Sequence, residues 1–125
     1  MKTRCGQRSP ARYSAARAID AHSPIQARVV NTILRAVDGT GNAADIETSG
    51  GGTWSVTHSA YTTIFGSEIP APGSGTNVAV APVFPGQGAG NYQLIGANAA
   101  LLAAGDPTQV TPGETDLAGQ PRVLA

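Results

Sequence analysis

The chain has 125 residues and balances eight Lys and Arg against eight Asp and Glu, so it is one domain at most, or a piece of one, with no net charge. Charged residues are only 13%, which excludes a solvated helical bundle and a charge-driven disordered chain, while 16 Gly and 9 Pro predict frequent turns. No apolar run approaches the 18 or so residues of a membrane-spanning helix, and no apolar run of about 7–15 residues follows Lys2 and Arg4, so neither a transmembrane segment nor a signal peptide is expected in this chain.

The neutral total hides an asymmetry. Residues 1–36 carry seven basic side chains against Asp20 alone, and residues 37–125 carry Arg122 against seven acids. A basic arm can bind anionic surfaces, but this one lacks interleaved aromatics or a reader motif, so no specific nucleic-acid partner is expected. Residues 1–24 are Ala- and Ser-rich, weakly patterned and closed by Ser23-Pro24. They read as a basic tail, disordered or forming a short helix, and residues 25–125 read as the structured part. The single cysteine, Cys5, cannot form an internal disulfide, and a thiol nucleophile there would need His22 or His58 as its base.

Val29 to Val37 is β-branched and bounded by Asp38-Gly39-Thr40-Gly41-Asn42, which predicts a strand. A short strand follows at Asp45-Ile46-Glu47, then a flexible Ser49-Gly50-Gly51-Gly52. Next comes an alternation that puts Trp54, Val56 and His58 on one face and Ser55, Thr57 and Ser59 on the other. Tyr61 to Phe65 is the next unit, followed by a Pro/Gly/Ser loop at residues 69–75. A strand is expected at Asn77 to Phe84, a loop at Pro85 to Gly90, and a short strand at Gly90 to Leu94. Ala99 to Ala104 is a small apolar stretch, stopped by Gly105-Asp106-Pro107, and Gly119, Pro121 and Arg122 form a final turn. Short strands between Gly-rich turns predict an all-β fold, either a sandwich or a solenoid, and no strict repeat period decides between them.

Several segments, in this order, carry a resemblance: Val29–Val37, Trp54-Ser55-Val56-Thr57-His58-Ser59, Ala81-Pro82-Val83-Phe84, Gly90-Asn91-Tyr92-Gln93-Leu94, Ala100–Asp106 and Thr115 to Val123. Together they resemble the C-terminal end of right-handed parallel β-helix surface proteins of the choice-of-anchor Q type, within the pectate-lyase-like architecture. That family shows an Asn-x-Ile/Leu rung, a Val-x-Tyr-Ser rung, Asp-Pro-x-Phe, Asp-Tyr-x-Leu, Ser-Pro-Ala-Ile-Asp-Ala-Gly and Asp-x-x-Gly-x-Pro-Arg. The resemblance covers about residues 28–124, and the order of segments is more specific than any one motif. This chain departs from it at Ala81, where the family has Asp, and at Asn98–Gly105, which lacks the usual Pro and Asp. With Ala103 in the place of that Asp, Arg122 must pair with Asp116 or solvent.

The resemblance implies a right-handed parallel β-helix fragment closed by a C-terminal cap in which Asp116, Gly119, Pro121 and Arg122 form the last turn. It also implies a secreted or cell-surface location. The first coil would then present an open sheet edge, so missing upstream coils, or some other partner at that edge, are expected. Candidate sites are few. Asp45 and Glu47 flank Ile46 and could act together on a glycan, or be a solvated pair beside a turn. Trp54 and Tyr61 could stack on sugar rings, or be the largest core residues available. His58 lacks a second ligand two residues away and reads as an inward rung residue. Asp106 and Asp116 could hold calcium in polar loops, although Asp106 before Pro107 is also a plain turn residue, so no metal and no cofactor are expected. The expected function is a non-enzymatic, surface-associated β-solenoid segment with a structural, adhesive or carbohydrate-contacting role. The alternatives are a fragment of a polysaccharide lyase or glycoside hydrolase on the same fold, and a small stand-alone all-β binding module.

Overall fold

A computed structural model describes residues 15–94, 96–115 and 119–121. Its regular structure is mostly short strands: β1 Arg17–Ala21, β2 Ile25–Val30, β3 Ala44–Thr48, β4 Gly52–Thr57 and β5 Ile64–Phe65. Every pairing between these strands is parallel. One sheet has the order β1-β3-β5 and the other is the pair β2-β4.

The registers share a common offset. Arg17 pairs with Ala44, Ile25 with Gly52, and Ile33 with Ala60 through an isolated bridge, each 27 residues on. Ile46 then pairs with Ile64, and Ala60 with Val78, each 18 residues on. Residues 17–33, 44–60 and 64–78 therefore lie on one another as three layers. Like residues meet like across them: Ile19 on Ile46 on Ile64, and Val29 on Val56. Branched side chains stacked in this way fill a column without changing rotamer from layer to layer.

Inside the layers lies the core, made of Leu34, Ile46, Trp54, Val56, Tyr61 and Ile69. Ile46, in the middle layer, is 0% exposed. Ile19, Ala21, Ala27 and Val29 of the first layer are only partly buried, because no described residue stacks on the outer edges of β1 and β2. The strands turn from the first sheet to the second through close backbone approaches. A Cβ on Gly50 would sit 2.4 Å from the Ser23 backbone, and one on Gly52 would sit 2.1 Å from the Ile25 carbonyl oxygen. These glycines, expected as a flexible stretch, are the places where two layers come closest.

A polar column marks the next corner. Asn31 and His58, 27 residues apart, both have positive φ, at 52° and 47°. After each, a hydroxyl bonds back along the chain: Thr32 Oγ1 donates to the Val30 carbonyl (2.9 Å) and Ser59 Oγ to the Thr57 carbonyl (2.8 Å). The Thr32 N–H then donates to Ser59 Oγ at 3.2 Å, and the Ser59 N–H to Asn77 Oδ1 at 3.2 Å. Thr32, Ser59 and Asn77 thus satisfy one another's backbone groups where the ladder stops.

Several expectations are corrected here. Arg17–Ala21, expected within a disordered or helical tail, is strand β1; its Ile19 stacks on Ile46, and that tertiary packing overrides the weak local pattern. The strand expected at Val29–Val37 ends at Val30, where left-handed Asn31 breaks it. His58 leaves the alternation of β4 for the same reason and is not an inward rung residue. The strand expected at Asn77–Phe84 is a single bridge at Val78, and Gly90–Leu94 is not a strand.

Beyond Val78 the chain forms 3₁₀ turns at Gln87–Ala89, Gly96–Asn98 and Pro107–Gln109 and one helical turn, α1, at Ala99–Leu102. Side chains hold this part. Asn98, 1% exposed, accepts from the Val83 N–H at 2.8 Å and donates to the Val83 carbonyl at 2.7 Å. Thr115 and Pro121 make an antiparallel bridge.

Candidate functional site

The structure gives Asp45 and Glu47 separate partners. Asp45 is 1% exposed and accepts four hydrogen bonds, from the N–H groups of Ala36 (2.9 Å), Thr62 (2.7 Å) and Thr63 (3.2 Å) and from Thr62 Oγ1 (3.1 Å). Its carboxylate pins the 34–38 segment and the approach to β5, and both oxygens are in use. Glu47 is half-buried and pairs with Arg17, whose guanidinium also lies 5.4 Å from the Phe65 ring centre. Trp54 and Tyr61, at 8% and 1% exposure, are core residues whose rings offer no face to a sugar. The Tyr61 hydroxyl donates to the Pro70 carbonyl at 2.8 Å, and burial raises its pKa above the usual phenol value.

Asp106 caps the Pro107–Gln109 turn: its Oδ1 accepts from the Thr108 N–H at 2.9 Å and from Thr108 Oγ1 at 2.7 Å. Those two bonds, the hydroxyl's first, hold its carboxyl below the usual range. Its backbone is clasped by Asn31, which accepts from the Asp106 N–H at 2.7 Å and donates to the Asp106 carbonyl at 2.9 Å. Arg28 donates to Gln109 Oε1 at 2.9 Å nearby, so the C-terminal segment docks on the first layer. Asp116 and Arg122 lie outside the described residues; of the expected last turn, Gly119 has φ 76° and Pro121 makes the bridge to Thr115. Among the described residues no three His, Cys, Asp or Glu side chains gather as metal ligands, and no helix is long and apolar enough to cross a membrane.

Between the docked segment and the layers lies a cavity of about 500 Å³, lined by Asn31, Ile33, His58, Ala60, Leu101, Asp106 and neighbouring residues. His58 contributes its ring to the wall, but its Nδ1 is packed away from solvent without a hydrogen-bond partner.

A second polar cluster went unnoticed in the sequence. His22 and Ser49 are 27 residues apart, and stacking of the layers puts one beside the other: His22 Nδ1 lies 2.5 Å from Ser49 Oγ. His22 Nε2 lies 2.7 Å from Asp20 Oδ1. The Ser49 N–H donates to the Ala21 carbonyl at 3.0 Å, which fixes the two strand ends to each other. A carboxylate only accepts, so Nε2 carries the proton to Asp20, and Nδ1 accepts from the Ser49 hydroxyl. The signal was the shared offset, which cannot be seen without a visible repeat. No protein-family model matches the chain, and no curated protein or solved structure matches it either.

Proposed function

We propose that the chain is a segment of a right-handed parallel β-helix, near its C-terminal cap, with a structural or adhesive role at a cell surface. The observation that supports this reading is the 27-residue offset common to three separate parallel pairings, β1 on β3, β2 on β4 and Ile33 on Ala60. Parallel strands joined within one sheet by crossovers are right-handed in nearly every known case, which supports the right-handed reading. The choice-of-anchor Q resemblance supplies the surface location. The half-exposed Ile19, Ala21, Ala27 and Val29 form the face on which a preceding coil of the same kind would stack.

The role proposed is contact with surface polysaccharide without cleavage of its glycosidic bonds. In support, the Asp45 carboxylate is taken up by the Ala36, Thr62 and Thr63 groups and Glu47 by Arg17. The test is co-sedimentation of the full chain with insoluble pectin, xylan and peptidoglycan, together with an assay for new reducing ends. Retention on at least one polymer with no new ends is expected. New reducing ends would favour the lyase or hydrolase reading, and no retention on any polymer would overturn the contact role.

A further inference from the structure

We infer that Asp20, His22 and Ser49 form an acyl-transfer site, with Ser49 as nucleophile, His22 as its base and Asp20 as the group that positions the imidazole. The inference does not rest on the β-helix reading, and it departs from the expectation of a chain without catalytic activity. Three observations carry it. The Ser49 hydroxyl is in hydrogen-bond reach of His22 Nδ1 at 2.5 Å. His22 Nε2 is held by Asp20 Oδ1 at 2.7 Å, so nucleophile, base and positioning acid form one chain. All three stand at the ends of β1 and β3, strands paired in register, with Ser49 tied to Ala21 by a backbone bond. Sites built on strand ends hold geometry better than sites on free loops.

The chemistry closes on these atoms. Ser49 Oγ attacks the carbonyl carbon of an ester while its proton passes to His22 Nδ1, and the Asp20 carboxylate stabilises the imidazolium through Nε2–H. The tetrahedral intermediate expels the alcohol oxygen, which takes the proton from Nδ1 and leaves acyl-Ser49. Water then attacks the acyl carbon, gives its proton to Nδ1, and releases the carboxylic acid as Ser49 regains its proton.

The substrate class follows from the surroundings. The site lies at an open corner of the layers, where the side chains of His22 and Asp20 are 58% and 47% exposed. An open corner offers no pocket for a long acyl chain but admits a large alcohol. The site therefore fits short acyl esters, acetyl above all, carried on a bulky alcohol such as a polysaccharide hydroxyl.

A fluorophosphonate probe tests the nucleophile on the full chain. After short exposure, mass spectrometry is expected to find the label on Ser49, at least about tenfold above exposed Ser55. His22→Ala is expected to lower that labelling and the hydrolysis of 4-nitrophenyl acetate by about a hundredfold. Asp20→Ala is expected to lower both, and Asp20→Glu to restore part of them, which a purely structural role at this exposed position would not do. Far-UV circular dichroism of each variant separates unfolding from lost chemistry. Labelling that does not favour Ser49 over Ser55, or that survives His22→Ala in a folded protein, would overturn the assignment.

Discussion

Residues 17–78 and residues 79–121 are held together by different forces. The first region is a set of layers in which backbone pairs with backbone and Ile stacks on Ile. The second shows no strand among its described residues and relies on side chains that reach for main-chain groups, as Asn98 does at Val83 and Asn31 at Asp106. Stacked layers share one core and should melt as a unit. A segment attached by a few side-chain clasps can open by itself at lower free-energy cost.

That contrast can be broken from either side. Removing Ile46, the fully buried centre of the column, has the largest expected effect: Ile46→Ala should cost about 3 kcal/mol and lower the denaturant midpoint of the whole protein. Asp45→Ala should match it, also at about 3 kcal/mol, because it strands the Ala36, Thr62 and Thr63 N–H groups at once. Chemical denaturation followed by Trp54 fluorescence checks both. Gly52→Ala, at φ 115° and against the Ile25 carbonyl, should cost at least about 2 kcal/mol and show in the same assay.

Asn98→Ala sharpens the comparison. It removes both Val83 clasps, so it should cost about 1–2 kcal/mol locally. Hydrogen exchange should then speed up around residues 83–104 while amides of β3 and β4 keep their protection. Smaller still is the effect of acid. Asp38 is held below the usual carboxylate range first by the Thr40 N–H, and Glu68 first by the Thr48 hydroxyl. Asp106 is held down in the same way by Thr108. A group whose folded pKa is depressed adds stability above its unfolded pKa and loses it as pH falls through the folded value. The melting temperature should therefore decline as pH is lowered below about 4.

Much of the first region could be read in its residues, and its failures are instructive. The alternation of Trp54 and Val56 marked β4, whereas the β-branched run before Asp38 met β2 only at Val29 and Val30. The end of β2 was missed because Val, Ile and Leu continue past Asn31, and only the corner geometry, with its positive φ, stops the strand there. β1 was missed because Arg17-Ala18-Ile19-Asp20-Ala21 is a strand only by virtue of β3 beside it. The clasp of Asn31 on Asp106 joins residues 75 apart, and no local pattern announces it. The Asp20, His22 and Ser49 cluster was hidden for a related reason. Its spacing is the length of one layer, and unequal offsets of 27 and 18 leave no period to find.

The central claim is the parallel register of the first two layers. Gln26 pairs with Thr53, and Ser55 lies two residues further along the same strand. With Cys5 replaced by Ser, Gln26→Cys combined with Thr53→Cys should form an intramolecular disulfide rapidly on mild oxidation, because adjacent strands lie about 4.8 Å apart. Gln26→Cys combined with Ser55→Cys should not, since that pair is roughly 8 Å apart. Cross-linking confined to the first pair is the predicted result. Equal cross-linking of both pairs, or of neither, would contradict the register and the layered fold built on it.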